Sequence, residues 1–527
     1  MKRSRVYLAN IIPCLWYGLV CGVLTGGAIF FFKLAAKKLE ELSHFLYTSA
    51  KASPLYIIFV FAGLFAFAFV MSFIHKKVPE AKGGGIPRSE GVLKGILSFR
   101  WLRTLIGTAV GSMISFFCGL PLGSEGPAVL IGTSLGGFTG TFSGKKSAWN
   151  RYIMTGGAGA GFAVAMGAPL SAMLFALEEI HKRFTPMLVL IVSVSVISAT
   201  FINNALASIF GVGTSLLEIG QLGTFMLNDA WFLLVLGAVI AIAVALFDKS
   251  IELFSRVTKK MSKVLSSNVK LIVLFLFVGV LGFVFIDAIY SGHDIILHML
   301  SDNVTVSYIV ILLVLRVFMM LMATDSGATG GIFIPTLAIG ALVSALAVKL
   351  LTAMGMPLEL YSAVVLLGMC AFIGGTLRAP FTATVLFIEL TGQFTSLFYV
   401  VLVVFTVSFI VEMVHQTSFY DRVVEDMEER QNHGKEAHIA YFEMTVSNDA
   451  FVVEKSVRDI MWPASSVVVG IRRNENNNDI DHDGERRLYA GDAIIMRVKF
   501  FDEDELKNQL YDLVGREYEI IRVGKGK

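Results

Sequence analysis

Charge is scarce in this chain. Charged residues make up 16% of its 527 positions, against about 25% in soluble domains. That excludes a soluble enzyme of ordinary composition, and disorder and nucleic-acid binding with it. Cysteine is scarcer still. Cys14, Cys21, Cys118 and Cys370 lie in or beside apolar runs at no metal-ligand or disulfide spacing, so they read as small buried thiols rather than a disulfide scaffold. No small-residue cleavage site follows the basic start Met1 to Arg5, which predicts a cytoplasmic N-terminus rather than a signal peptide. A Thr-Val-Gly-Tyr-Gly filter is missing, which counts against a cation transporter. A His-Glu-x-x-His motif is missing too, which counts against an intramembrane hydrolase.

What is present is apolar. Hydrophobic residues are 55% of the chain and the mean hydropathy is +0.70. Of the 41 acidic and 44 basic side chains, 23 and 16 fall in the last 107 residues, from Asp421. The first 420 residues therefore carry a net charge near +10 and the tail one near −7. Such a split predicts a polytopic membrane part followed by a small polar domain. Apolar stretches recur at about 11–36, 54–75, 100–120, 149–178, 185–210, 228–247, 270–291, 305–323, 331–353, 360–375 and 396–414. Several are short or cut by glycine, as at Gly83-Gly84-Gly85-Ile86-Pro87, Gly123-Ser124-Glu125-Gly126-Pro127 and Gly327 to Gly331. Irregular backbone at membrane depth is tolerated only inside protein or along a cavity. Interrupted segments in both halves predict a transporter of inverted repeats and broken helices. The fold class is thus an all-α membrane protein followed by an α+β domain. Basic clusters at Lys2 to Arg5, His75 to Lys77, His181 to Arg183 and Lys259-Lys260 mark the cytoplasmic side; Lys37 and Lys38 fall on the opposite one.

Ionisable residues in apolar segments are functional candidates by default. They include Glu125, Glu178, Glu179, Asp325, Glu389 and Glu412. Glu125 stands between two glycines, just before Pro127, where a helix opens. First-turn amides lack intrahelical partners and favour an anion. A tethered carboxylate can occupy that site and leave it on protonation, which makes one side chain both gate and proton carrier; a helix cap without a transport role is the alternative. Gly330-Gly331-Ile332-Phe333-Ile334-Pro335 opens a second helix in the same manner.

These three glycine motifs, in this order and spacing, together with Phe419-Tyr420-Asp421, resemble the CLC family of chloride channels and chloride/proton antiporters over about residues 10–430. The resemblance implies a homodimer in the cell membrane with one anion path per subunit, moving chloride and protons, with a bound anion and no other cofactor and no metal. Glu125 then matches the external gating glutamate and Glu179 the inner proton glutamate. Gly84, Ser124, Gly126, Ile332 and Phe333 match positions at the anion, and Tyr420 the tyrosine whose hydroxyl faces it. Glu389 reads as structural. Two positions depart from the family. Gly84 stands where chloride-selective members usually carry serine, a serine that the fluoride/proton branch also replaces. Ser124 stands where many relatives have arginine. A passive chloride channel and a fluoride/proton antiporter are the alternatives within the family.

In the tail, strands are expected at 440–446, 464–472, 486–489 and 492–498, with helices at 456–461 and 502–514, the latter capped by Asp502. Lys455 to Ile460, Gly470 to Arg473 and Leu488 to Asp492 resemble the RCK-C (TrkA-C) regulatory domain. The boundaries are 1–430 for the membrane part, 431–442 for a linker and 443–527 for the domain. The resemblance implies a cytoplasmic C-terminus and a ligand such as cyclic di-AMP at a dimer interface, with Arg472, Arg473, Arg486 and Arg487 as candidate contacts. Coupling to transport is expected through the helix that carries Tyr420. Asp479 to Gly484 looks like the start of a calcium loop, but position twelve is Ala490 rather than glutamate, so a solvated hairpin is expected.

Overall fold

A computed structural model describes residues 2–51, 54–142, 147–214, 217, 219, 222–261, 266–301, 303–414, 417–463, 466–473, 482–516 and 518–525. The first helices are α1 (Lys2–Ala50), α2 (Pro54–Lys77), α3 (Gly85–Leu93), α4 (Trp101–Phe117), α5 (Glu125–Phe142), α6 (Ser147–Met166), α7 (Pro169–Phe175) and α8 (Pro186–Phe210). Then come α9 (Ala230–Met261), α10 (Ser267–Val284), α11 (His293–Met299), α12 (Val306–Ser326), α13 (Phe333–Ala353), α14 (Tyr361–Leu377), α15 (Pro380–Thr391) and α16 (Leu397–Met413). The two series correspond member by member. The third of each is short, the fifth opens two residues after a glycine with a proline in its first turn, and the seventh opens at an Ala-Pro step.

Among the described residues, nine spans are long and apolar enough to cross a membrane. They divide by environment. The span ending in α14 is enclosed by other helices, whereas α2 is largely exposed, as befits a lipid-facing helix. The apolar stretch at 149–178 is not one helix. The chain breaks at Gly167, with φ +66°, and Pro169 opens α7, because proline cannot continue the preceding hydrogen-bond ladder. A turn of π-helix, Ala176–Ile180, then carries Glu178 and Glu179. The apolar helix α15 was not among the expected stretches.

After α16 the polar helix α17 (Phe419–Gln431) leads to a four-stranded antiparallel sheet of order β2-β3-β1-β4. Its strands are β1 (His438–Thr445), β2 (Ser466–Arg472), β3 (Ala493–Phe500) and β4 (Tyr518–Lys525), with helix α18 (Glu503–Leu513) between the last two. Ala440, Phe442 and Met444 alternate inward along β1, the period-2 signature of a strand with one buried face. Three expectations change. The helix expected at 456–461 is a single 3-10 turn, Val457–Asp459. Residues 486–489 form no strand; Arg487 makes one isolated bridge to Ser456, and Gly491, with φ +86°, turns the chain into β3. Beyond α18 the chain adds β4. Asp502 caps α18 as expected, its Oδ1 accepting the N–H of Asp504 at 3.0 Å. Asp479 and Asp481 of the calcium-loop pattern lie outside the described residues.

The tail rests on the membrane part. Arg151 Nη2 donates to Gln509 Oε1 at 2.9 Å and Tyr152 Oη to the Asp459 carbonyl at 2.9 Å. The Trp149 ring meets Phe451 edge-on at 5.5 Å. Contact to the membrane helices thus runs through α6 directly, as well as through α17.

Candidate functional site

The three glycine motifs converge. Gly123 and Gly331 exchange both backbone hydrogen bonds, each 2.7 Å, in an antiparallel bridge. The Gly83 N–H donates to the Gly327 carbonyl at 2.9 Å. Backbone approaches leave no room for side chains. A β-carbon on Gly85 would lie 2.0 Å from the Gly126 carbonyl oxygen, and one on Gly331 2.6 Å from the Gly126 nitrogen. Glycine is the residue that permits such an approach. Thr329 pins the second-half turn, donating to the Ala81 carbonyl at 2.8 Å, while its own carbonyl accepts from Ser115 Oγ at 2.6 Å.

Two helix N-termini open at this junction. The first intrahelical bonds are Ala128 N–H to Ser124 O and Thr336 N–H to Ile332 O. Earlier amides, at Glu125 and Gly126 in α5 and at Phe333 and Ile334 in α13, have no intrahelical acceptor and carry the positive ends of the helix dipoles. The Glu125 carboxyl group is buried over this junction. Ser124 Oγ donates to its Oε1 at 3.2 Å, and the amides of Glu125 and Ile334 face it. Its Oε2 has no partner and lies 2.3 Å from where a β-carbon of residue 123 would be. Gly84 is the N-cap of α3, with space beside it: its β-carbon would meet only Pro87 Cδ at 3.6 Å and the Gly330 carbonyl at 3.8 Å. Phe333 is held from behind by Phe162, ring edge to face at 5.0 Å. Tyr420 opens α17, fully buried, with an unpartnered hydroxyl. It lies in electrostatic reach of both Glu125 and Glu179.

The Glu179 carboxyl group is buried and neither oxygen has a partner. The charge that acts on it most strongly is Glu90, on α3. Glu90 is buried too; Lys94 donates to its Oε1 at 2.5 Å and its Oε2 is unpartnered. Glu90 is not among the acids expected from sequence; its one signal there is its place three residues past the Pro87 of the first motif. On the polar side of this pair, Asp421 accepts from Lys182 at 2.5 Å and from Ser418 at 2.8 Å. Burial pushes the Asp421 carboxyl up, but the Lys182 and Ser418 hydrogen bonds and the Lys182 and Lys94 charges outweigh it and hold it at about 2.

The remaining acids are tied into structure. Glu178 caps α15, Glu389 caps α7, and Asp325 pairs with Lys270 at 2.8 Å. The tail arginines lie apart from this site. Arg472 pairs with Glu443 at 2.7 Å, and Arg473 pairs with Asp492 at 3.1 Å while covering the Tyr489 ring. The Arg487 carbonyl accepts from Arg473, and Arg486 donates its N–H to the Asp483 carbonyl.

The family described as voltage gated chloride channel matches residues 66–412. The chain belongs to this family. It is 31% identical over 336 residues to a protein of Citrobacter koseri named H(+)/Cl(-) exchange transporter ClcA, covering 61% of this chain and 68% of that one. A protein of the same name from Salmonella arizonae is 30% identical over 335 residues, with the same coverage. Among solved structures, a slow cyanobacterial Cl-/H+ antiporter superposes with a TM-score of 0.73 at 25% identity, covering 80% of this chain and 99% of that one. A CLC-type fluoride/proton antiporter shares the fold, with a TM-score of 0.63 at 22% identity over 76% and 96% of the two chains. This family member is a multi-pass membrane protein.

Proposed function

We propose that this protein exchanges chloride for protons across the cell membrane. One observation carries the reading: the starts of α5 and α13 meet at the Gly123–Gly331 bridge, with the Glu125 carboxyl group over them and the Tyr420 hydroxyl unpartnered. Amides at two helix starts attract a small anion without a buried cation. Glu125 competes with that anion when ionised and leaves when protonated, so each proton it takes admits an anion. Glu179 passes protons between Glu125 and the cytoplasm, and its buried, partnerless oxygens suit a carboxyl group that is neutral for part of the cycle. Gly84, Ser124, Gly126, Ile332 and Phe333 line the anion path with backbone groups. The relatives named as H(+)/Cl(-) exchangers support antiport over a passive channel.

The protein works as a homodimer with both termini in the cytoplasm. Residues 1–430 form the transport domain and 443–527 an RCK-C-like regulatory domain, whose first strand, β1, already begins at His438 inside the 431–442 linker. The tail's docking on α6 supports a regulatory role, and a cyclic dinucleotide such as cyclic di-AMP is the ligand to test. Flux from proteoliposomes, with chloride and pH read together, tests the central reading. Uphill proton movement driven by a chloride gradient is expected. Chloride flux with no proton movement would establish the channel instead.

A further inference from the structure

Ser124, the residue that precedes Glu125 at the start of α5, carries no charge. The structure brings a cation there from another helix. Lys33, Lys37, Glu40, Glu41 and His44 recur at helical spacing along α1 and line one wall of a cavity of about 1000 Å³ that reaches Ser124 and Glu125. Lys33 lies on the same helix as Phe32 and Ala36, which are buried in one apolar cluster with Val164 and Ala165. Its ammonium donates to the Val164 carbonyl, near the end of α6, at 2.9 Å. That bond fixes the head group and uses one of its three donors. Lys33 and Glu125 lie close enough for each charge to act on the other. The rest of the cavity gives an anion little general attraction: Glu40, Glu41, Asp287 and Asp294 line it beside Lys37, His44, His293 and His298. Of the cations lining the cavity, Lys33 is the one whose charge acts on Glu125, so it is the one placed to add to the attraction of the helix starts for an incoming anion.

We propose that Lys33 is an external anion ligand. It holds chloride at the outer mouth of the path when Glu125 leaves, and so supplies from α1 the charge absent at Ser124. This inference rests on the anion path proposed above.

The competing role is that Lys33 only caps α6 through Val164. Lys33→Gln keeps an N–H donor and removes the charge; Lys33→Arg keeps the charge. In vesicles holding the protein in one orientation, Lys33→Gln is expected to raise the half-saturating external chloride concentration about tenfold, the scale of one charge-assisted hydrogen bond. It should shift the internal value much less. Lys33→Arg should stay within about threefold of wild type. Ser124→Arg added to Lys33→Gln should recover most of the loss, because it returns a charge to the same mouth without restoring the cap. An unchanged external half-saturation in Lys33→Gln overturns the proposal. So does a loss that Ser124→Arg leaves in place, which would assign Lys33 to the cap. Chloride calorimetry on detergent-purified wild type and Lys33→Gln separates this from the antiport reading: if wild type moves chloride without protons, antiport fails, yet weakened chloride binding in the variant still upholds Lys33.

Discussion

Glu178 and Glu389 make the same contact in opposite directions. Glu178 accepts the N–H groups of Phe381 at 3.0 Å and Thr382 at 2.7 Å, with the Thr382 hydroxyl, at the start of α15. Glu389 accepts those of Leu170 and Ser171, both at 2.7 Å, with the Ser171 hydroxyl, at the start of α7. Each half of the chain thus caps a helix of the other. A carboxylate at a helix N-terminus satisfies orphan donors and meets the dipole favourably.

Glu389→Ala is expected to lower stability by about 2–3 kcal/mol, as hydrogen bonds to a charged acceptor are lost. Transport per folded molecule should stay within about twofold. Thermal unfolding in detergent, paired with flux, checks both; loss of proton coupling alone would give Glu389 a chemical role.

Glu125→Ala should keep chloride flux and lose proton coupling, since it removes the competing carboxylate and its proton together. Uphill proton pumping by this variant in a chloride gradient would refute the gate assignment.

Glu179→Ala should stop proton movement while part of the chloride flux survives. Its oxygens are enclosed and partnerless, so removal deletes a proton stop without breaking a hydrogen bond. Proton flux retained at the wild-type ratio would transfer the role elsewhere, with Glu90 the next candidate.

Gly84→Ser should raise the preference for chloride over nitrate. The β-carbon has ordinary contacts of 3.6 and 3.8 Å, and its hydroxyl would add a charge-assisted hydrogen bond to the anion. Competition assays compare the two proteins; an identical anion order would mean that residue 84 does not line the site. Gly331→Ala is the contrasting case. Its β-carbon would collide with the Gly126 backbone, so yield of folded protein should collapse.

Asp421→Asn should weaken the tie between α17 and the segment after Glu179. The folded carboxyl sits at about 2 and its ordinary value is 3.8. The contribution is therefore fully present above about pH 4 and is lost as pH falls towards 2. Partial exposure of Lys182 and Asp421 limits it to roughly 1 kcal/mol. The gap in melting temperature between wild type and variant should close over that range.

Some of this was legible from sequence because its causes are local. Glycine and proline act on their own backbone, so the helix starts at Glu125 and Phe333 could be read from Gly-x-Glu-Gly-Pro and Gly-Gly-Ile-Phe-Ile-Pro. The break at Gly167 to Pro169 carried the same punctuation and was read through, because the apolar run on either side hid it. The scarcity of charge before residue 421 fixed the membrane part, since each charge there must find a partner or a cavity. Tertiary structure decided what meets what. The Gly123–Gly331 bridge, the Arg151–Gln509 bond and the approach of Lys33 to Glu125 join residues scores to hundreds of positions apart. Such contacts depend on how helices cross. Lys33 in a run of phenylalanines reads alone as an isolated charge; its neighbour is set by where α1 packs against α5 and α6.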